Sequence, residues 1–364
     1  MRIKGLSIVF LTLLMLCHTG LGNGYALSSA SHNNTSGTSE EKGEINVQEI
    51  IFEHMLDSYE WHIAGDIVLH LPVILYSKTS GWHIFSSKRL HDNGGHYLNF
   101  YPAGIDSPRY GKLMEKMDDG SFVRPLDFSF TKMALALFIN ALVLLLIILP
   151  VARWYRKHKD GKEVPNKFAS MIEAVVMYME DTVIKPCIGK NYRKFSPYLL
   201  TIFFFILTCN LMSLIPFFPG GVGVTANMSI TMFLAICTFI AINAFGKREY
   251  WKEILWPDVP TFLKAPFPMM QIIEFLGLFT KPIALMIRLF ANMMGGHMAI
   301  LVLTILIFIG FSVGNVLGGS MTFLSVAFNI FLNVLELLVA FIQAFVFTLL
   351  SAVFIGGAQV EHHK

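Results

Sequence analysis

Arg288 and Glu336 stand in the most apolar part of a 364-residue chain. Between Leu289 and Val360, Glu336 is the only group with a fixed charge at neutral pH, and His297 is the only other that titrates. An Arg or Glu at membrane depth costs about 2.5–3.5 kcal/mol or more, so such residues are rare and usually mark an ion path. Glu274, Lys281, Arg288 and Asn292 follow one another at intervals of 7, 7 and 4 residues, which places them on one stripe of a helix. His297 lies nine residues beyond Arg288, which turns it to the opposite side. Gly295 and Gly296 lie between the two and permit close approach of a neighbouring backbone. Glu336 and Gln343, seven apart, share a face of a later helix.

These residue types divide the chemistry. The Arg288 guanidinium stays charged even when poorly hydrated. A fixed positive charge attracts a carboxylate on a moving partner, favours its ionised form and blocks a continuous proton leak. His297 and Glu336 each gain and lose a proton, as a relay requires. The residues alone also fit an Arg–Glu pair that merely joins two helices, and a lone intramembrane His is usually only a packed one.

The surroundings needed to hold these groups are those of a membrane protein. The chain is 54% hydrophobic and 15% charged, against about 25% charged in a soluble domain. Cys209 and Cys237 lie in apolar runs, and the four cysteines have no metal-like spacing, so neither a disulfide framework nor a metal site is expected. The net charge of +3 says little by itself, and no nucleic-acid partner or cofactor is expected. No phosphate-binding G-x-x-x-x-G-K-[ST], H-E-x-x-H or G-x-S-x-G occurs on the spans, so an enzyme of those classes is not expected.

Residues 1–26 read as a secretory signal peptide, with Arg2 and Lys4 before an apolar run. Residues 27–48 read as a disordered linker rich in Ser, Asn and Gly. Residues 49–127 form a small extracytoplasmic region in which IVLHLPVILY, GWHIF and HYLNFY are candidate strands. His54, His62, His70, His83, His91 and His96 lie there, with spacings that match no metal template.

Residues 128–364 form the membrane domain. Uncharged runs at Met133–Pro150, Ser196–Pro216 and Val224–Gly246 are spans. Two longer segments, Pro268–Ile309 and Ser320–Gly357, exceed the ~20 residues a perpendicular helix needs, so they are expected to tilt strongly. Pro165–Lys185 carries Glu173, Glu180 and Asp181 on a helical period and reads as an amphipathic helix on the membrane surface. Lys and Arg concentrate in the loops 151–195 and 246–268, and are missing from 217–224 and 310–320. The positive-inside rule therefore places the first two loops and the C-terminus in the cytoplasm and residues 27–127 outside. The expected fold is an all-α polytopic membrane protein with five membrane helices, the last two long and tilted.

RLFANMMGGH, preceded by Glu274 and Lys281 and followed by ELLVAFIQAFVF, resembles subunit a of the F-type ATP synthase. The resemblance covers roughly residues 125–360, and PNKFASMIEAVV and CNLMSLIPFF fit it as well. It implies a non-catalytic stator subunit in a bacterial inner membrane, with two proton half-channels leading to and from the carboxylates of a ring of c subunits. A peripheral-stalk subunit b, other ATP synthase subunits and membrane lipid are the implied further partners. Arg288 is then the arginine that faces the ring and separates the half-channels. His297, Glu336, Asn210 and Gln343 border the outer channel, Glu274 lies near the cytoplasmic exit, and Asn292 is a polar neighbour of the arginine. Some members carry Glu at the position of His297 and His at that of Glu336, so the pair is exchanged here. Some also carry acidic residues at or near Ser213 and Phe218, which are uncharged here. A self-contained secondary transporter is the alternative; it predicts internal repeats around a midplane site, and no convincing repeat is visible.

Overall fold

The computed structural model describes residues 57–64, 67–92, 96–103, 107, 111–117, 119–158, 163–215, 217–255 and 269–359. The expected signal peptide and linker, Glu361–Lys364 and part of the 246–268 loop lie outside the described residues.

The N-terminal part is a small β region. Its strands are β1 (Glu60–Ala64), β2 (Ile67–His70), β3 (Pro72–Ser77), β4 (Gly81–Ser86), β5 (Phe100–Pro102), β6 (Leu113–Lys116), β7 (Phe122–Val123) and β8 (Leu126–Asp127), with a short helix α1 (Lys88–Asp92) after β4. They form three antiparallel sheets, β1-β2, β4-β3-β8 and β5-β6-β7. The segment IVLHLPVILY is two strands, not one. Leu71 separates them, its N–H donating to the Tyr59 carbonyl, and Pro72, which has no N–H to give, opens β3. Val73, Leu75, Phe85, Phe100 and Leu113 make the core of this region. Among the described residues no three His, Cys, Asp or Glu side chains gather as a metal site would require.

The β region clamps the start of the first membrane helix, α2 (Lys132–Lys157). The Asp57 carboxylate accepts from the Met133 N–H at 3.1 Å, and the Ser58 carbonyl from the Lys132 N–H at 2.9 Å. Thr131 caps the helix through its hydroxyl. A carboxylate is favourable there because the helix N-terminus carries partial positive charge. Pro150 does not end α2, which continues to Lys157.

Beside this clamp, the buried Tyr59 hydroxyl donates to Asp127. Burial, reinforced by the Asp127 charge, holds the Tyr59 phenol well above its usual pKa. The folded form thus keeps its proton better than an unfolded tyrosine. That contribution is complete below about pH 10, and it declines as pH rises from there towards the folded value. Limited proteolysis of the intact protein should show the β region loosening above about pH 10, and Tyr59→Phe should flatten that dependence.

The membrane part continues through α3 (Lys167–Tyr178), a π turn at Met179–Ile184, α4 (Lys185–Ile188) and α5 (Tyr192–Ser213). In α3 and the π turn, Ala169, Ile172, Met179 and Val183 are buried while Lys167 and Glu173 are exposed, which is the expected amphipathic pattern. It is joined to α5 by a single tight turn, where Gly189 takes φ +72°, a conformation that favours glycine. Next come α6 (Met228–Phe245), α7 (Arg248–Leu255), α8 (Met269–Val313) and α9 (Asn315–Gly357). Among the described residues, five helical stretches are long and apolar enough to cross a membrane.

Helix α5 is the hub. Leu199, Ile202, Phe203, Phe205 and Ile206 are fully buried, and they pack with Leu285 and Leu289 of α8 and Phe347 of α9. Helices α8 and α9 have 45 and 43 residues. Each is therefore roughly 65 Å long, about twice the ~30 Å hydrocarbon core, and has to tilt. The expected loop at 310–320 shrinks to Gly314 alone. Glycines allow this. A Cβ at Gly318 would meet the Phe311 ring at 2.5 Å, and one at Gly310 would meet Met321 at 3.0 Å.

Candidate functional site

Helix α8 presents two chemically different faces. Leu278, Leu285, Leu289 and Met293 are buried, and they lock the rotation of the helix against the rest of the fold. That rotation leaves Lys281, Arg288 and Asn292 exposed on the chain's own surface. Among the described residues, the Arg288 guanidinium forms no ion pair and no hydrogen bond. Farther along the stripe, Lys281 Nζ lies 5.5 Å from the centre of the Phe354 ring of α9. Glu274 is half-buried near Tyr250 of α7. Burial and the Glu274 charge together push the Tyr250 phenol above its usual pKa.

The other face holds the titratable pair. His297 Nδ1 approaches Glu336 Oε1 to 2.8 Å. The Glu336 side chain is 4% exposed and that of His297 17%. The approach is close but off the hydrogen-bonding axis. Both Glu336 oxygens and His297 Nε2 are buried without an aligned hydrogen-bond partner among the described residues. Asn140, Asn243, Gln271, Ser325 and Asn329 each have one such atom as well, so it is the contact between an acid and an imidazole that sets this site apart.

Two glycines make room for the pair. A Cβ at Gly296 would lie 2.9 Å from Glu336 Oε1 and 3.0 Å from its Cδ. A Cβ at Gly223 would lie 2.8 Å from His297 Cδ2 and 3.1 Å from Nε2. So Glu336 is seated on the backbone of α8, and His297 is backed by the connection between α5 and α6. Gly296 is legible from the sequence as a close-approach position. Gly223 is not: PFFPGGVG reads only as a short loop, and nothing local signals that it folds against residue 297.

Asn210 is buried and fully engaged. Its Nδ2 donates to the Ala340 carbonyl at 3.2 Å, and its Oδ1 accepts from Thr225 Oγ1 at 2.7 Å. Ala340 lies one turn beyond Glu336, so Asn210 braces the part of α9 that carries Glu336. Thr225, buried in the short turn Val224–Ala226, was not singled out by sequence; its partner is 15 residues away and on another element. Ser213 donates to the Asn210 carbonyl at 2.6 Å. Gln343 is buried on the Glu336 stripe together with Ala340, Ala344 and Phe347. The β region reaches this neighbourhood as well. Trp61 of β1 meets Phe218, in the loop leading to Gly223, edge-on at 5.0 Å.

The eight candidate residues thus separate. His297, Glu336, Asn210 and Gln343 belong to the packed interior between α5, α8 and α9. Arg288, Asn292 and Lys281 belong to an open face of α8, and Glu274 lies half-buried near α7.

A family model described as "ATP synthase A chain" matches residues 135–356, and a model of a domain of unknown function matches residues 50–128. Among curated proteins, the chain is 40% identical over 278 residues to ATP synthase subunit a of Chloroherpeton thalassium, covering 74% of this chain and 75% of that one. It is also 40% identical over 306 residues to ATP synthase subunit a of Chlorobium phaeobacteroides, covering 82% and 77%. With ATP synthase subunit a of Anaeromyxobacter dehalogenans the identity is 39% over 258 residues, covering 69% and 63%.

Proposed function

The chain belongs to the family of ATP synthase subunit a, and from that premise we propose that it is the proton-conducting stator of an F-type ATP synthase, with Arg288 set between two half-channels. It is a multi-pass membrane protein that works within the ATP synthase complex. The observation that carries the finer reading is the division of α8: a buried His297–Glu336 pair on one side, and on the other an exposed Arg288 with no ion pair or hydrogen bond among the described residues.

A proton from outside reaches Glu336 and His297, whose unsatisfied oxygens and Nε2 are ready to take it up, and passes to a carboxylate on the ring of c subunits. The neutral carboxylate turns into lipid. After nearly a full rotation it meets Arg288, which favours its ionised form, and its proton leaves past Glu274 to the cytoplasm. At about 2.3 kcal/mol per charge per 100 mV, several protons are needed to drive one ATP synthesis. The subunit itself performs no ATP chemistry. Asn210 with Thr225 positions α9, Gln343 borders the inlet, and Asn292 adjoins the arginine. The ring and a peripheral-stalk subunit b are its partners in a bacterial inner membrane. Residues 1–26 serve as a signal sequence, residues 49–127 stand outside and the C-terminus lies inside.

Placement of the ring is tested by cross-linking. Asn292→Cys should form a disulfide with a cysteine introduced beside the ring carboxylate. Met293→Cys, which is buried on the interior side of the helix, should not. The reverse pattern would reject the assignment of faces.

Clearance around the pair is testable separately. Gly296→Ala presses on Glu336 and Gly223→Ala presses on His297. Overpacking costs about 1–3 kcal/mol, so each variant should slow ATP-driven acidification of inverted vesicles by roughly tenfold if that cost falls on proton transfer. Gly319→Ala, whose Cβ meets nothing within 4 Å, should leave the rate unchanged.

A further inference from the structure

The sheet β4-β3-β8 is apolar on both faces, and only one face is covered. Val73, Leu75 and Phe85 point into the core of the β region. On the other face β3 and β4 pair Tyr76 with Trp82 and Ile74 with Ile84, and β8 sets Leu126 opposite Tyr76. Trp82 is 61% exposed and Ile84 71%. The rings of Tyr76, Trp82 and Phe128 form a row, with centroids 5.1 and 5.7 Å apart. Strands of a half-exposed sheet normally turn polar side chains outward. A continuous apolar and aromatic patch on a small region marks an interaction surface.

Continuity of the backbone identifies what covers it. Leu126, Phe128 and Phe130 alternate outward, while Ser129 and Thr131 turn inward and are buried. The segment keeps bonding along β3 after β8 ends: the Phe128 N–H donates to the Ile74 carbonyl at 2.9 Å, and the Phe130 N–H to the Pro72 carbonyl at 3.1 Å. The next residue, Thr131, caps the first membrane helix. Phe130 therefore lies at the membrane boundary, and Phe128 within roughly 10 Å of it. The exposed flank of α2, with Phe138, Leu142 and Leu145, carries the apolar surface onward into the bilayer. Trp and Phe, with an apolar body and a tolerance for the wet boundary, suit the headgroup level.

We propose that this outward face of the β4-β3-β8 sheet lies on the lipid surface, with Trp82, Ile84, Leu126, Phe128 and Phe130 entering the headgroup layer of the leaflet where α2 begins. The ligand is the phospholipid interface itself. Docking it holds the β region flat beside α2, and so fixes the height of Trp61 against Phe218 in the loop that backs His297. The inference rests on the membrane spans and not on the proton path, so it stands or falls separately from the assigned roles of Arg288, His297 and Glu336.

Its test uses the whole complex in lipid nanodiscs, with phosphatidylcholine either plain or brominated near the top of the acyl chain. The emission of Trp82 is the difference between the native complex and Trp82→Phe, a substitution that keeps an aromatic ring at a position that is 61% exposed. The expected result is that this emission loses at least half its intensity in brominated lipid and resists aqueous acrylamide. Quenching by acrylamide and not by brominated lipid would place the patch in water and overturn the proposal. Quenching by neither would place another subunit over it, and would overturn it equally.

Discussion

Arg288→Ala is expected to reduce ATP-driven proton pumping to background in a complex that still assembles. Helix α8 directs Arg288 away from the packed interior, and its guanidinium has no partner among the described residues of its own chain. Its removal therefore breaks no internal ion pair, and the cavity it leaves lies at the surface. Stability should change little. A lone Arg at membrane depth is unfavourable by about 2.5–3.5 kcal/mol or more, so its charge has to be met by a group outside the chain. In the function proposed above, a ring carboxylate meets it in turn as the ring rotates. Without the positive charge, the carboxylate has nothing to favour its ionised form as it passes, and nothing keeps the two half-channels apart. Arg288→Lys should restore only part of the function, because a compact ammonium on a flexible stem does not reproduce the planar, always-charged fork. Acridine-dye quenching in inverted vesicles, with immunoblots for assembly, reads both quantities.

The second large effect concerns the buried pair. Glu336→His alone and His297→Glu alone should each cut proton flow on the order of 10²-fold, the usual contribution of a positioned proton-transfer group. The first places two imidazoles together in a site that is almost closed to solvent. The second places two carboxylates about 3 Å apart, which forces one to stay protonated. The double exchange restores one acid and one imidazole in contact, so it should exceed either single variant, with a coupling of about 1–3 kcal/mol. Recovery should be incomplete. Residue 336 sits against Gly296 and residue 297 against Gly223, so the clearances are shaped for a carboxylate at one and a ring at the other. A double variant no better than the singles would show that the two groups do not act as a unit.

Much of this arrangement is legible in the chain because it is periodic. Arg288 and His297 are nine residues apart on an uninterrupted helix, so their opposition follows from helix geometry alone. Glu336 and Gln343 fall on one buried stripe for the same reason. The five spans follow from apolar length, and the surface helix from its amphipathic period. What sequence could not give is whatever depends on chain segments meeting in space. Gly223 backs His297 across 74 positions, and Thr225 holds Asn210, which holds the Ala340 carbonyl. These contacts have no local signature. The turn at Gly314 was similarly hidden: a cluster of glycines looks like a loop, yet here it lets two helices meet with a single residue between them. In the β region, alternation suggested one strand through residues 67–76, whereas the partner strands divide it at Leu71.

In the proposed function, helix α8 carries the barrier on one face and borders the inlet on the other. The most direct measurement is passive proton conduction through the membrane sector after the catalytic sector is stripped away, compared in Arg288→Ala and Glu336→Gln. Arg288→Ala should still conduct protons, since the inlet is intact and only the separation is lost, while Glu336→Gln should conduct poorly. Normal conduction in Glu336→Gln, or a complete block in Arg288→Ala, would contradict that division of roles.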